Sequence, residues 1–253
     1  MNKPKLLKKL SYRRILIIVV TVIGCLSIKK AIAHDHVSIL FQPPPEDEQP
    51  EETEGAASRQ TKRCAADSQL SQSSVSQALK LTAIAPQGNY GLTTLERPDL
   101  WIYLPETSAK QVILSIKKEG KTPHWQQSIE LTGEAGVTGI KLADDAPALE
   151  TGSNYQWAVI LVCNERPDPN DPVVTSWIRR VVSKNSQSSP TSALEQVSIY
   201  AKEGIWYDAL NLLISSKSSQ ANWQDLWREY LESAGLDKIT DLPVSDNSLL
   251  PKR

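Results

Sequence analysis

The strongest constraint in this sequence is a change of hydrophobic period. Across residues 79–182 apolar side chains recur at every second position in short runs, and turn residues part the runs. Leu79-Lys80-Leu81-Thr82-Ala83-Ile84 alternates, and Trp101-Ile102-Tyr103-Leu104 is aromatic and branched and stops at Pro105. Residues 111–117, 125–131, 139–142, 155–163 and 176–182 complete the set of expected strands. Gly88-Asn89, Pro105, Gly120, Gly133, Gly136, Pro147 and Gly152-Ser153-Asn154 supply the turns. Alternation puts successive side chains on opposite faces, so each run has one face to bury. About seven such runs in about 100 residues suit one two-sheet domain. The expected fold is mainly β with α: an immunoglobulin-like antiparallel β-sandwich over 79–183, then a C-terminal helical hairpin plus a third helix.

One corner sharpens this expectation. Leu149-Glu150-Thr151-Gly152-Ser153-Asn154-Tyr155-Gln156-Trp157 has the form of an immunoglobulin-type corner. There a Tyr enters the penultimate strand and its hydroxyl bonds back to the upstream backbone. Tyr155, Trp157, Val159, Leu161 and Cys163 share one face, which is assigned to the core. Gln156, Ala158, Ile160 and Val162 share the other.

Beyond a polar linker at 183–190 the period becomes helical. Residues 193–202 read as one short helix, Gly204 interrupts, and 205–215 read as a second. Trp223, Leu226, Trp227, Tyr230 and Leu231 form an apolar stripe on a third, with Gly235 placed to end it. The helical region is expected over 191–236 and a flexible tail over 237–253.

The start of the chain reads as an export signal over residues 1–33. Lys3, Lys5, Lys8, Lys9, Arg13 and Arg14 precede an apolar run at 15–28, and Ala31-Ile32-Ala33 is a small-x-small cleavage pattern. Val22-Ile23-Gly24-Cys25 offers a competing lipoprotein site at which Cys25 would be acylated. Contact with a membrane is expected only through an uncleaved signal or a lipidated Cys25. Removal of 1–33 leaves 20 basic against 29 acidic residues, a net charge of −9. Such a chain repels nucleic acid and anionic lipid, so no nucleic-acid partner is expected. Residues 34–78 are acidic and proline-rich, with Pro43-Pro44-Pro45, and read as a disordered tether.

Cys64 and Cys163 lie beyond the signal, and an even count in an exported chain favours a disulfide over two free thiols. Catalytic patterns are missing: there is no Gly-x-Ser-x-Gly, phosphate loop, His-Glu-x-x-His or calcium loop. Asp144-Asp145 and Asp168-Pro169-Asn170-Asp171 read as turns. Cleavage after Ala33 would put His36 third from a free amine, where imidazole, amine and two amides could hold Cu(II) or Ni(II); the competing reading is a chance His in a flexible tail. Trp101, Trp125 and Trp177 are the candidates for stacking on a sugar, with a place in the core as the competing reading. No cofactor is expected.

Two resemblances complete the reading. Tyr200-Ala201-Lys202-Glu203-Gly204-Ile205-Trp206-Tyr207-Asp208-Ala209-Leu210 resembles the inter-helix turn of a single tetratricopeptide repeat, although no period of 34 residues recurs. Gly91-Leu92-Thr93-Thr94 through Arg97-Pro98 to Trp101-Ile102-Tyr103-Leu104-Pro105, then Tyr155-Gln156-Trp157 through Cys163, Trp177-Ile178-Arg179-Arg180-Val181 and Gly204 to Leu210, resemble a family of exported cyanobacterial proteins known as domain of unknown function 928. That family usually carries a Gly- and Arg-rich stretch before its first Cys; Gln60-Thr61-Lys62-Arg63-Cys64 is a reduced version. The resemblance implies an address and a fold, not an activity. The expected function is therefore a non-enzymatic interaction or structural module of the cell envelope, periplasmic or extracellular, with an envelope protein or polysaccharide as partner. A carbohydrate-binding module and an uncharacterised hydrolase are the alternatives.

Overall fold

The computed structural model describes residues 38–45, 49–50, 64, 66–67, 79–122, 124–131, 135–185, 190, 192–246 and 248–250. The chain divides into two compact units, Met1–His36 and Val37–Arg253. The first, with the expected export signal, Cys25 and His36, lies outside the described residues.

Eight strands form two sheets. β1 (Thr82–Ala83), β3 (Leu100–Leu104) and β6 (Gly136–Ile140) make one sheet in the order β1-β3-β6. β2 (Tyr90–Thr93), β4 (Gln111–Lys118), β5 (Trp125–Glu130), β7 (Asn154–Val162) and β8 (Val173–Arg180) make the other, ordered β2-β8-β7-β4-β5. This is the immunoglobulin-like arrangement of two packed sheets, with β1 pairing in one and β2 in the other. The Tyr155 hydroxyl accepts from the Glu150 N–H at 3.0 Å, so the expected corner is present. Tyr155, Trp157, Val159 and Leu161 are buried on the inner face of β7.

The sandwich is not purely antiparallel. β2 runs parallel to β8, with Tyr90 opposite Trp177 and Thr93 opposite Arg180. The chain leaves β1, turns at Gly88 and Asn89, both at positive φ, and returns along the last strand. Sequence alternation missed β2 because four successive residues, Tyr-Gly-Leu-Thr, are all buried. A strand covered on both faces shows no period of two.

Three helices follow: α1 (Ala193–Lys202), α2 (Trp206–Ser215) and α3 (Trp223–Ser233). Ser192 caps α1 by accepting from the Glu195 N–H at 3.1 Å. The stripe expected on α3 is buried in full. Among the described residues no helix is long and apolar enough to cross a membrane. The helices share one continuous apolar core with the sandwich: Val112, Leu114 and Trp157 belong to the same cluster as Leu213, Leu226 and Trp227. β3 is buried along its whole length, and its Trp101 reaches Asn211 on α2.

Both expected free segments are corrected where they are described. Residues 38–45 form a strap over the helices. Ile39 and Phe41 are buried, and the Phe41 ring meets Trp206 edge-on at 5.1 Å. The Phe41 N–H donates to Ser233 Oγ and the Gln42 N–H to the Ala201 carbonyl, each at 2.9 Å. The acidic, proline-rich composition that follows masked two properly spaced apolar residues. The C-terminal segment is not free either. Val244 and Leu249 bridge in parallel to Val137 and Ile140 and extend the edge of β6. A Cβ on Gly139 would stand 2.7 Å from Ser248 Oγ and 3.1 Å from the Trp101 ring, so a larger residue there would push on this segment.

Cys64 and Cys163 form a disulfide across a sequence separation of 99. Closing a loop of that length contributes up to ~4.7 kcal/mol by the chain-entropy argument. Asp67 secures the same end: its carboxylate accepts from the hydroxyl of Thr107 at 2.9 Å and from the N–H and hydroxyl of Ser108 at 2.7 Å.

Candidate functional site

Two partly desolvated carboxylates mark the places where helices meet strands. The first is Asp208, in the first turn of α2 and buried. Its oxygens accept from the Thr93 hydroxyl at 2.6 Å, from the Thr94 N–H at 3.1 and 3.2 Å, and from the Thr94 hydroxyl. Burial pushes its pKa up, with these bonds acting in the opposite direction. The helix can come this close because residue 91 is glycine: a Cβ there would lie 2.9 Å from Trp206 Cβ. Tyr207, next along α2, reaches into the sandwich. Its hydroxyl accepts from Trp157 Nε1 at 2.8 Å and donates to the Trp177 carbonyl at 3.2 Å. Burial raises this phenol to about 12, so it stays neutral. Arg180 closes the junction, with Nε donating to the Thr94 carbonyl at 3.2 Å and Nη1 to the Leu149 carbonyl at 3.0 Å. Four separate stretches, from β2, β7, β8 and α2, thus converge on one hydrogen-bonded joint. Its chemistry is structural, because the groups satisfy one another.

The second carboxylate is Asp99, directly before β3. It lines a solvent-open cleft of about 580 Å³ between the sandwich, α2 and the C-terminal segment. That volume lies in the range of small-ligand sites, ~300–1,000 Å³. Trp101 Nε1 donates to Asn211 Oδ1 at 2.9 Å. This contact takes up the Asn211 carbonyl oxygen, and Asn211 lines the cleft together with Asp99. Burial raises the Asp99 pKa, and the charge of Lys141 and the polar Asn211 amide offset only part of that rise. Asp99 takes part in none of the ion pairs among the described residues. Lys217 stands at the rim but is already engaged. It donates to the Val244 carbonyl at 2.8 Å and to Asp246 Oδ1 at 2.7 Å, and lies 5.8 Å from the Trp223 ring centroid. Ile214 and the Trp101 ring give the cleft an apolar wall.

The residues expected to carry function are placed as follows. Cys64 and Cys163 are joined. Trp101 is buried and bound to Asn211, so only part of its ring meets the cleft. Trp177 is 9 % exposed and packs with Tyr90, Leu92 and Ile205 on the outer side of the second sheet. Its indole N–H is one of the buried donors with no partner among the described residues. Trp125 is half-buried at the start of β5, against the main core. The three rings do not form one stacking platform: they sit on different elements, and two of them are core. His36 lies outside the described residues. Among the described residues no group of three His, Cys, Asp or Glu side chains could hold a metal ion. Asp144 and Asp145 fall at the turn after β6.

Sequence reasoning passed over Asp99, Asn211 and Asp208. A signal existed for the two acids. Asp208 stands inside the apolar run Trp206-Tyr207-Asp208-Ala209-Leu210, and Asp99 abuts the five apolar residues of β3. A carboxylate in such company is either hydrogen-bonded or awaits a counter-charge. Asn211 gave no signal, since its partner is 110 residues away.

No curated protein and no solved structure matches the chain. Residues 54–244 match the family described as Domain of Unknown Function (DUF928). That span covers the sandwich, the three helices and most of the junctions between them, and the protein belongs to this family.

Proposed function

We propose that the protein is a non-enzymatic, exported module of the cell envelope that holds or joins other envelope components, protein or polysaccharide. The observation that carries this reading is the Cys64–Cys163 disulfide. Disulfides persist in oxidising compartments outside the cytoplasm. The basic, apolar and Ala-x-Ala pattern of residues 1–33 agrees with that address. The cyanobacterial origin suggested by the family resemblance is part of the same proposal. A sandwich and helices that share one core, tied by a covalent bond, by a strap at 38–45 and by the bridges of Val244 and Leu249 to β6, make a rigid support rather than a hinged machine.

Expression with residues 1–33 in place, followed by intact-mass measurement of the envelope and cytoplasmic fractions, tests the reading. The expected species begins at His34, carries one disulfide and resides in the envelope fraction. A full-length, reduced chain confined to the cytoplasm would overturn it. A mass increase on a chain beginning at Cys25 would replace the free form by a lipid-anchored one.

A further inference from the structure

We propose that the Asp99 cleft is a binding site for a small ligand that carries one primary ammonium group, with the Asp99 carboxylate as its counter-charge. The proposal goes beyond the reading as an envelope module and does not depend on it.

Four observations carry it. First, Asp99 is half-buried in a cleft and takes part in no ion pair among the described residues, whereas Asp246 at the same cleft is paired with Lys217. A desolvated carboxylate is ordinarily paired or multiply hydrogen-bonded. Second, the group stands beside a fixed amide. Asn211, whose carbonyl oxygen is held by Trp101 Nε1, lines the same cleft as Asp99, and the carboxylate keeps acceptor positions toward the cleft. An ammonium, with three donors and no acceptor, complements such a group; a second carboxylate would repel it. Third, the nearby cations are spent or distant. Lys217 Nζ is held by Asp246 and the Val244 carbonyl, and Lys141 acts on Asp99 through space without forming an ion pair. Fourth, the remainder of the cleft suits a small organic body. Ile214 and the Trp101 ring are apolar, and Ser215, Ser218 and Ser248 offer hydroxyls. The net charge of −9 left beyond residue 33 also draws cations toward the surface.

The other cavities carry less. The groove of about 790 Å³ beside Cys163 holds Lys110, Glu130 and Glu165, exposed groups with no fixed geometry toward a ligand. The cavity of about 440 Å³ beside Val244 and Leu249 is bounded by the C-terminal segment itself.

The test is titration of the folded, disulfide-bonded chain with ethanolamine, butylamine and glucosamine, each beside its N-acetyl counterpart, followed by NMR. At least one amine is expected to bind saturably and one-to-one, shifting the Trp101 indole and Asn211 amide signals. Its N-acetyl form is expected to bind at least tenfold more weakly. Asp99→Asn should weaken the amine at least tenfold without lowering the melting temperature. Ser215→Lys, a change at an exposed position, should also block the site by placing an ammonium inside the cleft. Binding that is equal in wild type, Asp99→Asn and Ser215→Lys would overturn the proposal, since it would reflect attraction to the acidic surface alone. Absence of saturable binding by all three amines would overturn it as well.

Discussion

Asp208 and Asp99 are both carboxylates drawn out of water where α2 meets the sandwich, and their surroundings differ. Asp208 faces two hydroxyls and a backbone N–H, all supplied by the β2 end of the second sheet. Asp99 faces one amide and an open cleft. Burial raises both pKa values, so desolvation is common to the two. The difference lies in who satisfies the charge. At Asp208 the fold does so, and the residue acts as a joint. At Asp99 the fold does so in part, which leaves capacity for something else. Burial of an acid is therefore a poor guide to its role until its donors have been counted.

The comparison can be broken most directly at the joint. Asp208→Ala is expected to cost about 3 kcal/mol, because Thr93 and Thr94 are left with unsatisfied donors in a dry site. Urea unfolding measures this, and a loss below about 1 kcal/mol would mean that water replaces the carboxylate easily. Gly91→Ala attacks the same joint by sterics. Its methyl would meet Trp206 Cβ at 2.9 Å, and a backbone shift should cost about 1–3 kcal/mol. Asn211→Ala, on the cleft side, leaves the Trp101 indole N–H without its acceptor and should cost about 1 kcal/mol.

The smallest expected effect is the most discriminating. Because the folded-state pKa of Asp99 is raised, its contribution to stability is fully present below the ordinary value of about 3.9 and is lost as pH rises through the folded value. Asp99→Asn should therefore equal or slightly exceed the wild type in stability at pH 7, and the difference should vanish near pH 3. Paired urea titrations at the two pH values check this. A clear loss at pH 7 would show Asp99 to be a staple of the same kind as Asp208, and the contrast would collapse.

The four stretches that carried the family resemblance share a physical explanation. Gly91 to Thr94, Trp157, Trp177 to Arg180 and Gly204 to Leu210 look unrelated along the chain, and in space they form one joint. Gly91 clears the way for Trp206, Thr93 and Thr94 bind Asp208, and Tyr207 links Trp157 to the Trp177 carbonyl. The resemblance marks how the helices are fastened to the sandwich. The cleft is only partly covered: Asp99 and Trp101 lie within the first resembling stretch, while Asn211 stands just past the last.

Local sequence was enough for the elements that bury one face. The alternation in β4 and β7, the stripe on α3 and the corner at Tyr155 depend on neighbours within a few residues, and they emerged where the pattern put them. It was not enough for β2, for the strap at 38–45 or for the C-terminal addition to β6. These segments are short, and their burial comes from partners about 90 to 190 residues away. The period of two determined that the chain would form a sandwich, and two cysteines in an export-type chain determined that a bond between them was worth expecting. Which acid became a joint and which stayed open was decided only by tertiary structure. The reason is that desolvation and hydrogen-bond supply at Asp208 and Asp99 depend on residues brought together from across the chain, and no window of sequence contains them.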